Sequence, residues 1–375
     1  MKEAIELEET LFYELIQISI GTRKCFSRTP SFAEWTKLFM LSRKHSVLGI
    51  CFNGVQRLFD TCPEQLSALP SALRLKWIGV TSCIQDRNEL LNDCCINLQR
   101  QLKALGIRSC ILKGQGIAAN YDFAVSDAFK LSTLRQSGDI DVWVEGGVET
   151  VASLCKTYRH PFRITEQHAD IPFFSDVEVE VHFKPTMLYN PLLNRRLQMW
   201  LRTEAPLQFA NEKDGLVVPT AGFNLVYLLI HILRHLFSEG VGLRQFMDYY
   251  FVLNNVDTDT LNKAIAVLKD LGLTRFFGSV IYVLQVCYGL GKNLSSYSDS
   301  VHGQFLLQEI MLSGNMGHFD SRHNRRAERN RLSAFIDSMV FDCRFLTEYP
   351  SETLFLPYTR IINRLWINYT EFKYR

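Results

Sequence analysis

The sequence predicts an α+β protein in which a small α/β core, residues 107–215, is flanked by helical regions at 1–106 and 216–375. Three observations carry this. Apolar residues recur at helical spacing through both flanks. Between them the pattern changes to short apolar runs bounded by glycine and polar clusters, which read as strands. Two of those runs, Gly138–Val144 and Asp176–Phe183, also carry acids inside apolar strand sequence, where burial penalises them unless something compensates the charge.

In the N-terminal flank, Leu11, Tyr13 and Leu15–Ile20 mark a first helix. Ser31-Phe32-Ala33-Glu34 opens a second as a capping box, and Trp35, Leu38, Phe39 and Leu41 follow at helical spacing. A third apolar stretch runs from Val47 to Phe59. After Pro63 and Pro70, a pattern through Leu73, Trp77, Ile84, Leu91, Leu98 and Leu105 predicts the longest helix, ending at Gly106. This flank holds no acid pair, histidine cluster or glycine-rich loop, so its expected role is scaffold.

The core begins with a strand at Ile107–Leu112, followed by the turn Lys113-Gly114-Gln115-Gly116 and a small-residue helix, Ile117–Tyr121. Glycines let a backbone approach an anion, helical N–H groups then point at it, and Lys113 adds a point charge; a plain turn and helix cap is the alternative. Residues 122–137 form a polar connection. In Gly138–Val144, Asp139 and Asp141 lie at i and i+2 and project to one face, about 6.5 Å apart along the strand. Such a pair suits one or two hard cations and phosphoryl or nucleotidyl transfer; a turn followed by a strand with one wet Asp is the plainer reading. Val148–Tyr158 reads as a helix and Phe162–Ile164 as a further strand. Alternation in Asp176–Phe183 puts Asp176, Glu178, Glu180 and His182 on one face and Val177, Val179, Val181 and Phe183 on the other. Alone this is an edge strand with a wet acidic face; beside Asp139 and Asp141 it can lend a third carboxylate.

In the C-terminal flank, Thr220 caps a helix through Phe223–Leu236 that carries His231 and His235 one turn apart. With no Glu directly after His231 the pair lacks the metalloprotease pattern and reads as a core pair. Arg244 and Asp248, one turn apart on the helix Leu243–Leu253, form a helical ion pair or a phosphate-binding fork held by a carboxylate. Helices continue over Leu261–Leu271 and Phe276–Tyr288. The basic run Ser321–Arg331 reads as a solvated helix face rather than a polyanion contact, and the tail aromatics Phe355, Tyr358, Trp366, Tyr369, Phe372 and Tyr374 are expected to pack back onto the helices.

Composition narrows the partners. A net charge of +2 gives no whole-chain basic field, so extended duplex binding is not expected. Ten scattered cysteines without a Cys-x-x-Cys pair point to reduced thiols and a cytoplasmic protein. The acidic N-terminus and an apolar run, Leu225–Leu233, too short to span a bilayer argue against export and membrane insertion.

Leu112-Lys113-Gly114, Arg135, Gly138-Asp139-Ile140-Asp141 and Val179-Glu180-Val181-His182 resemble the uncharacterised nucleotidyltransferase family of the DNA polymerase β-like nucleotidyltransferase superfamily. His231, His235, Gly242-Leu243-Arg244 and Asp248 extend the likeness, which covers roughly residues 100–250. The resemblance implies a nucleotidyltransferase-like mixed β-sheet core. It also implies that Asp139, Asp141 and Glu180 are the catalytic acids and hold Mg²⁺, two ions by analogy, and that Lys113, Gly114, Gly116, Arg135 and Arg244 contact a nucleoside triphosphate. The chain departs from the superfamily in having Lys113-Gly114-Gln115-Gly116 in place of Gly-Ser, and in the 25 positions from Gly114 to Asp139. The implied function is transfer of a nucleoside monophosphate to an acceptor hydroxyl or phosphate on a small molecule or protein. A catalytically inactive nucleotide-binding or regulatory protein of the same fold is the alternative.

Overall fold

The computed structural model describes residues 2–122, 130–159, 161, 163–317, 320, 322 and 331–374. Helical spacing in the first flank becomes α1 (Lys2–Ile20), α2 (Phe32–Lys44), α3 (Leu48–Thr61) and α4 (Ser71–Ala104). The capping box forms in full: Ser31 N–H donates to Glu34 Oε2 at 2.8 Å, and Glu34 N–H donates to Ser31 Oγ at 3.4 Å. The 34 residues of α4 span about 50 Å. Near its start the buried Trp77 donates Nε1–H to Leu48 O at 2.9 Å, and near its end Gln99 donates to Val217 O at 2.9 Å.

The central segment supplies β1 (Ser109–Ile111), α5 (Gln115–Ala118), α6 (Leu131–Leu134), β2 (Ile140–Val144), α7 (Gly147–Thr157), β3 (His168–Asp170) and β4 (Val179–His182). The strands form one mixed sheet in the order β1-β2-β4-β3, with β2 parallel to β4 and the outer pairs antiparallel. The acid-bearing β2 is therefore an inner strand, buried along its whole length. Alternation sorts its faces: Ile140, Val142, Val144, Ala169, Val179 and Val181 join a core with Leu91, Leu98 and Leu102 of α4 and Val151 and Leu154 of α7. Residues between them face the other way. After the sheet come α8 (Pro191–Gln208), capped by Asn190, and the short hairpin β5 (Glu212–Lys213) and β6 (Leu216–Val217).

The second flank folds as α9 (Ala221–Ser238), α10 (Leu243–Asn254), α11 (Thr258–Asp270), α12 (Thr274–Tyr288), α13 (Ser300–Ser313), α14 (Arg331–Asp342), α15 (Pro350–Thr353) and α16 (Leu356–Tyr374). Thr220 caps α9 as expected, its hydroxyl accepting Phe223 N–H. One continuous apolar core takes in Phe12, Trp35 and Leu58 from the first flank and Phe223, Leu229, Phe246, Phe276 and Ile310 from the second. By length and composition α9 is a candidate membrane span, but 67% of it is buried inside the protein, as the core helix of a folded domain would be.

Several expectations need correction. Residues 163–165 are not a strand and Phe162 lies outside the described residues; the strand is His168–Asp170, which offers one core residue, Ala169, and so has almost no apolar signature. Cys25 and Cys62 pair as a disulfide, with Cα atoms 6.1 Å apart, whereas ten free thiols were expected; of the other eight, six are buried. The tail packs back only in part. Trp366 donates to Thr165 O at 2.8 Å and Tyr374 joins the sheet core, but Tyr358, Tyr369 and Phe372 are exposed. Of the basic run, Ser321 and residues 323–330 lie outside the described residues, and Arg322 is no solvated charge, because it pairs with Asp320 at 2.8 Å and Glu309 at 3.0 Å.

Candidate active site

Strand register assembles the acids. Asp141 of β2 lies directly opposite Glu180 of β4, and the next residue on the same face of β4, His182, lies opposite Trp143. His182 in turn faces His168 across the antiparallel β3. Asp139 stands just before β2 and points the same way as Asp141, so Asp139, Asp141 and Glu180 each bring a carboxylate oxygen within 4.8 Å of the others. This is the trio expected from the sequence. Glu178 is exposed at the edge, outside it.

Two cations of the protein compensate these charges. Lys113, at the end of the β1 segment, places Nζ 3.1 Å from Asp141 Oδ1 and 3.9 Å from Asp139 Oδ2. His182 Nε2 lies 3.0 Å from the same Asp141 oxygen and 3.2 Å from Glu180 Oε2, so with carboxylates as its neighbours this nitrogen carries the proton. Burial disfavours charge on His182, but hydrogen bonds to Asp141 and Glu180 outweigh it and hold the imidazole up at about 9. For Glu180 burial pushes upward and His182 pulls harder the other way, leaving it at about 2, which suits a ligand and makes a weak base. Lys113, despite burial, is raised above an ordinary lysine by the three acids. A carboxylate as deeply buried as Asp141, 2% exposed, is tolerated because these charges neutralise it.

The remaining residues expected in the site divide. Lys113, Gly114, Arg135 and Arg244 line the same cleft as the acids; Gly116 does not. Gly114 adopts φ +60°, open to glycine, and caps α5, but α5 is a single turn and has little dipole to offer an anion. At Gly116 a Cβ would sit 2.2 Å from Ile111 O, so glycine is required there by close backbone packing rather than by a ligand. Arg135 is buried and committed to Asp248: Nε and Nη2 each donate to one carboxylate oxygen at 2.7 Å, and Tyr121 donates its hydroxyl to Oδ1 at 2.5 Å. The expected Arg244–Asp248 pair is therefore replaced by Arg135–Asp248. Arg244 instead donates Nη1–H to Gln136 O at 2.6 Å, and its Nε has no hydrogen-bond partner among the described residues. Burial, reinforced by the charge of Arg135, lowers its pKa.

His231 and His235 of α9, which extended the resemblance, line the same cleft, and Arg234 between them joins it without having been expected there. The two histidines are half-buried with rings 4.3 Å apart, and desolvation holds His235 neutral, down at about 3. From α4, Arg87 donates to Gly138 O at 3.2 Å and Asp176 O at 2.8 Å, and Asn88 donates to Thr133 O and Arg135 O at 2.7 Å each, fixing the approach to the acid strand. The helix predicted as scaffold thus reaches the site's edge. The cleft is lined by the three acids together with Lys113, Arg234 and Arg244, a mixture of charges that can bind a metal-complexed polyphosphate.

The family model described as "Uncharacterised nucleotidyltransferase" matches residues 31–289, extending on both sides of the stretch where individual residues carried the resemblance. No curated protein matches the chain.

Proposed function

Because the chain belongs to the uncharacterised nucleotidyltransferase family, we propose that it transfers a nucleoside monophosphate from a nucleoside triphosphate to an acceptor hydroxyl or phosphate, releasing pyrophosphate, in a Mg²⁺-dependent reaction. The observation that carries this reading is the convergence of Asp139, Asp141 and Glu180 in a cleft that Lys113, Arg234 and Arg244 also line. The trio fits a hard dication: its donors are all oxygens, and among the described residues Lys113 and His182 are the cations in direct contact with it. Mg²⁺ bound there supplies Lewis acidity toward the transferring phosphorus group and the acceptor hydroxyl. Asp139 and Asp141 would hold the ions, and Glu180 would complete the shell as a ligand first and a weak proton acceptor second. Lys113, beside the acids, neutralises the triphosphate, and Arg244, which lines the same cleft, adds a second positive charge. Arg135 acts one step back: pinned by Asp248, it holds the segment that leads into β2.

One observation favours the rival reading, a nucleotide-binding regulator without turnover: Lys113 and His182 already satisfy Asp141, which an ion must compete for. Pyrophosphate release separates the two. The enzyme reading expects release from at least one triphosphate in a panel of bases and acceptors, dependent on Mg²⁺ and lost in Asp139→Asn. Tight triphosphate binding with no release across that panel supports the regulator.

A further inference from the structure

We propose that His168, Glu180 and His182 form a second metal site beside the oxygen-only trio, one that takes a first-row transition dication such as zinc. The site rests on the metal-dependent reading of the cleft for its neighbouring ions, but not for its own ligands. The antiparallel register of β3 and β4 sets His168 opposite His182, and Glu180, two residues earlier in β4, shares their face. One donor atom from each lies within 4.8 Å of the other two, and the imidazole centroids are 4.9 Å apart. All three line the cleft, so an ion can enter from solvent.

The donor chemistry separates this group from its neighbour. Asp139, Asp141 and Glu180 offer oxygen alone, which suits magnesium; two imidazoles and a carboxylate are a set that zinc and iron favour and magnesium does not, with positions left open for substrate or water. Two ligands about 2.1 Å from a metal at angles between 90° and tetrahedral lie about 3.0–3.4 Å apart. His182 Nε2 and Glu180 Oε2 are 3.2 Å apart, so once Nε2 releases to solvent the proton it holds between the acids this pair can share an ion with little movement. His182 is 6% exposed, and the Nδ1 atoms of both His168 and His182 are enclosed without a hydrogen-bond partner among the described residues. Glu180 belongs to both groups and so links them.

Metal-stripped, tag-free full-length protein, without nucleotide, is titrated with Co²⁺ as a spectroscopic probe. The expected result is about one Co²⁺ per chain with visible d–d absorption, and an imidazole shell in the X-ray absorption spectrum of the wild type, a measurement that needs no variant. His168→Ala should weaken Co²⁺ binding by more than the roughly 10–100-fold that loss of a ligand's outer partner costs. Asp139→Asn should keep the imidazole-ligated ion. Absence of Co²⁺ binding, an oxygen-only shell, unchanged affinity in His168→Ala, or equal loss in Asp139→Asn overturns the site. Since nothing in this experiment depends on a triphosphate, failure of nucleotidyl transfer and failure of this site read out separately.

Discussion

Neutralising the two strand acids one at a time should have very unequal consequences for the metal-free protein. From sequence alone, two carboxylates in a core strand repel, and asparagine at either position should relieve them. In the structure Asp141 is instead the point on which Lys113 and His182 converge, at 3.1 and 3.0 Å, while Asp139 is half-exposed and 3.9 Å from Lys113. His182 is raised from 6.5 to about 9 by Asp141 and Glu180 against the cost of burial. A shift of that size corresponds to about 3 kcal/mol net of burial, the greater share from Asp141, which is both nearer to Nε2 and more deeply buried than Glu180. Asp141→Asn also strips Lys113 of its nearest anion, so a loss of about 2–3 kcal/mol is expected at about pH 6, where His182 is charged in the folded protein. Asp139→Asn, screened by solvent, should cost under about 0.5 kcal/mol. The folded-state pKa of His182 lies above its unfolded value, so its contribution is fully present below about 6.5 and is lost as pH rises through about 9. Urea unfolding in chelator, followed by tryptophan fluorescence across that window, should show wild-type stability falling and Asp141→Asn nearly flat. An Asp141→Asn protein as stable as wild type at about pH 6, or an equal loss in Asp139→Asn, refutes the reasoning.

Three further outcomes are expected. Glu180→Gln should lower transfer by roughly 100-fold or more, the rate equivalent of a few kcal/mol at a metal site, while the exposed Glu178→Gln changes it less than about threefold; equal losses in the two rates mean the strand face has been misassigned. Arg244→Lys keeps charge but loses the fork, so calorimetry with Mg²⁺-triphosphate should show about tenfold weaker binding with little change in melting temperature, whereas Arg135→Lys, which breaks the buried bidentate pair with Asp248, should destabilise by about 3 kcal/mol; unchanged affinity in Arg244→Lys confines the triphosphate to the acidic side. Gly116→Ala should destabilise by more than about 1 kcal/mol through its clash with Ile111 O, and a variant as stable as wild type in thermal unfolding shows that the turn can yield.

The acids were legible because a strand announces its faces: Gly138-Asp139-Ile140-Asp141 and the alternation around Glu180 each specify which side chains travel together, and the sheet brings those sides into register. Their counterions were not legible, because the pairing of Asp141 with Lys113 and His182 depends on which strands become neighbours. Arg135–Asp248 was missed for a related reason. The i, i+4 rule that suggested Arg244–Asp248 describes solvated helix faces, and α10 is buried on nearly every side, so its carboxylate takes a partner from another segment. β3 gave no signal, since only Ala169 of His-Ala-Asp enters the core. α8 did give one, Asn190 before Pro191 with Leu193, Leu197 and Leu201 at helical spacing, yet it was not among the expected elements.

The two anchor points on α4 have a consequence for how this chain can change in length. Asn88 grips the segment leading to the acid strand, and Gln99, eleven residues on, grips the hairpin at Val217. Eleven residues are about three turns, so the two amides emerge from the same side of the helix, about 16.5 Å apart. A one-residue insertion or deletion between them swings one anchor about 100° around the helix axis relative to the other. One attachment is then lost whichever the helix keeps. Substitutions at the solvent-facing positions between them leave that spacing intact, so this stretch should accept many changes of residue and almost none of register.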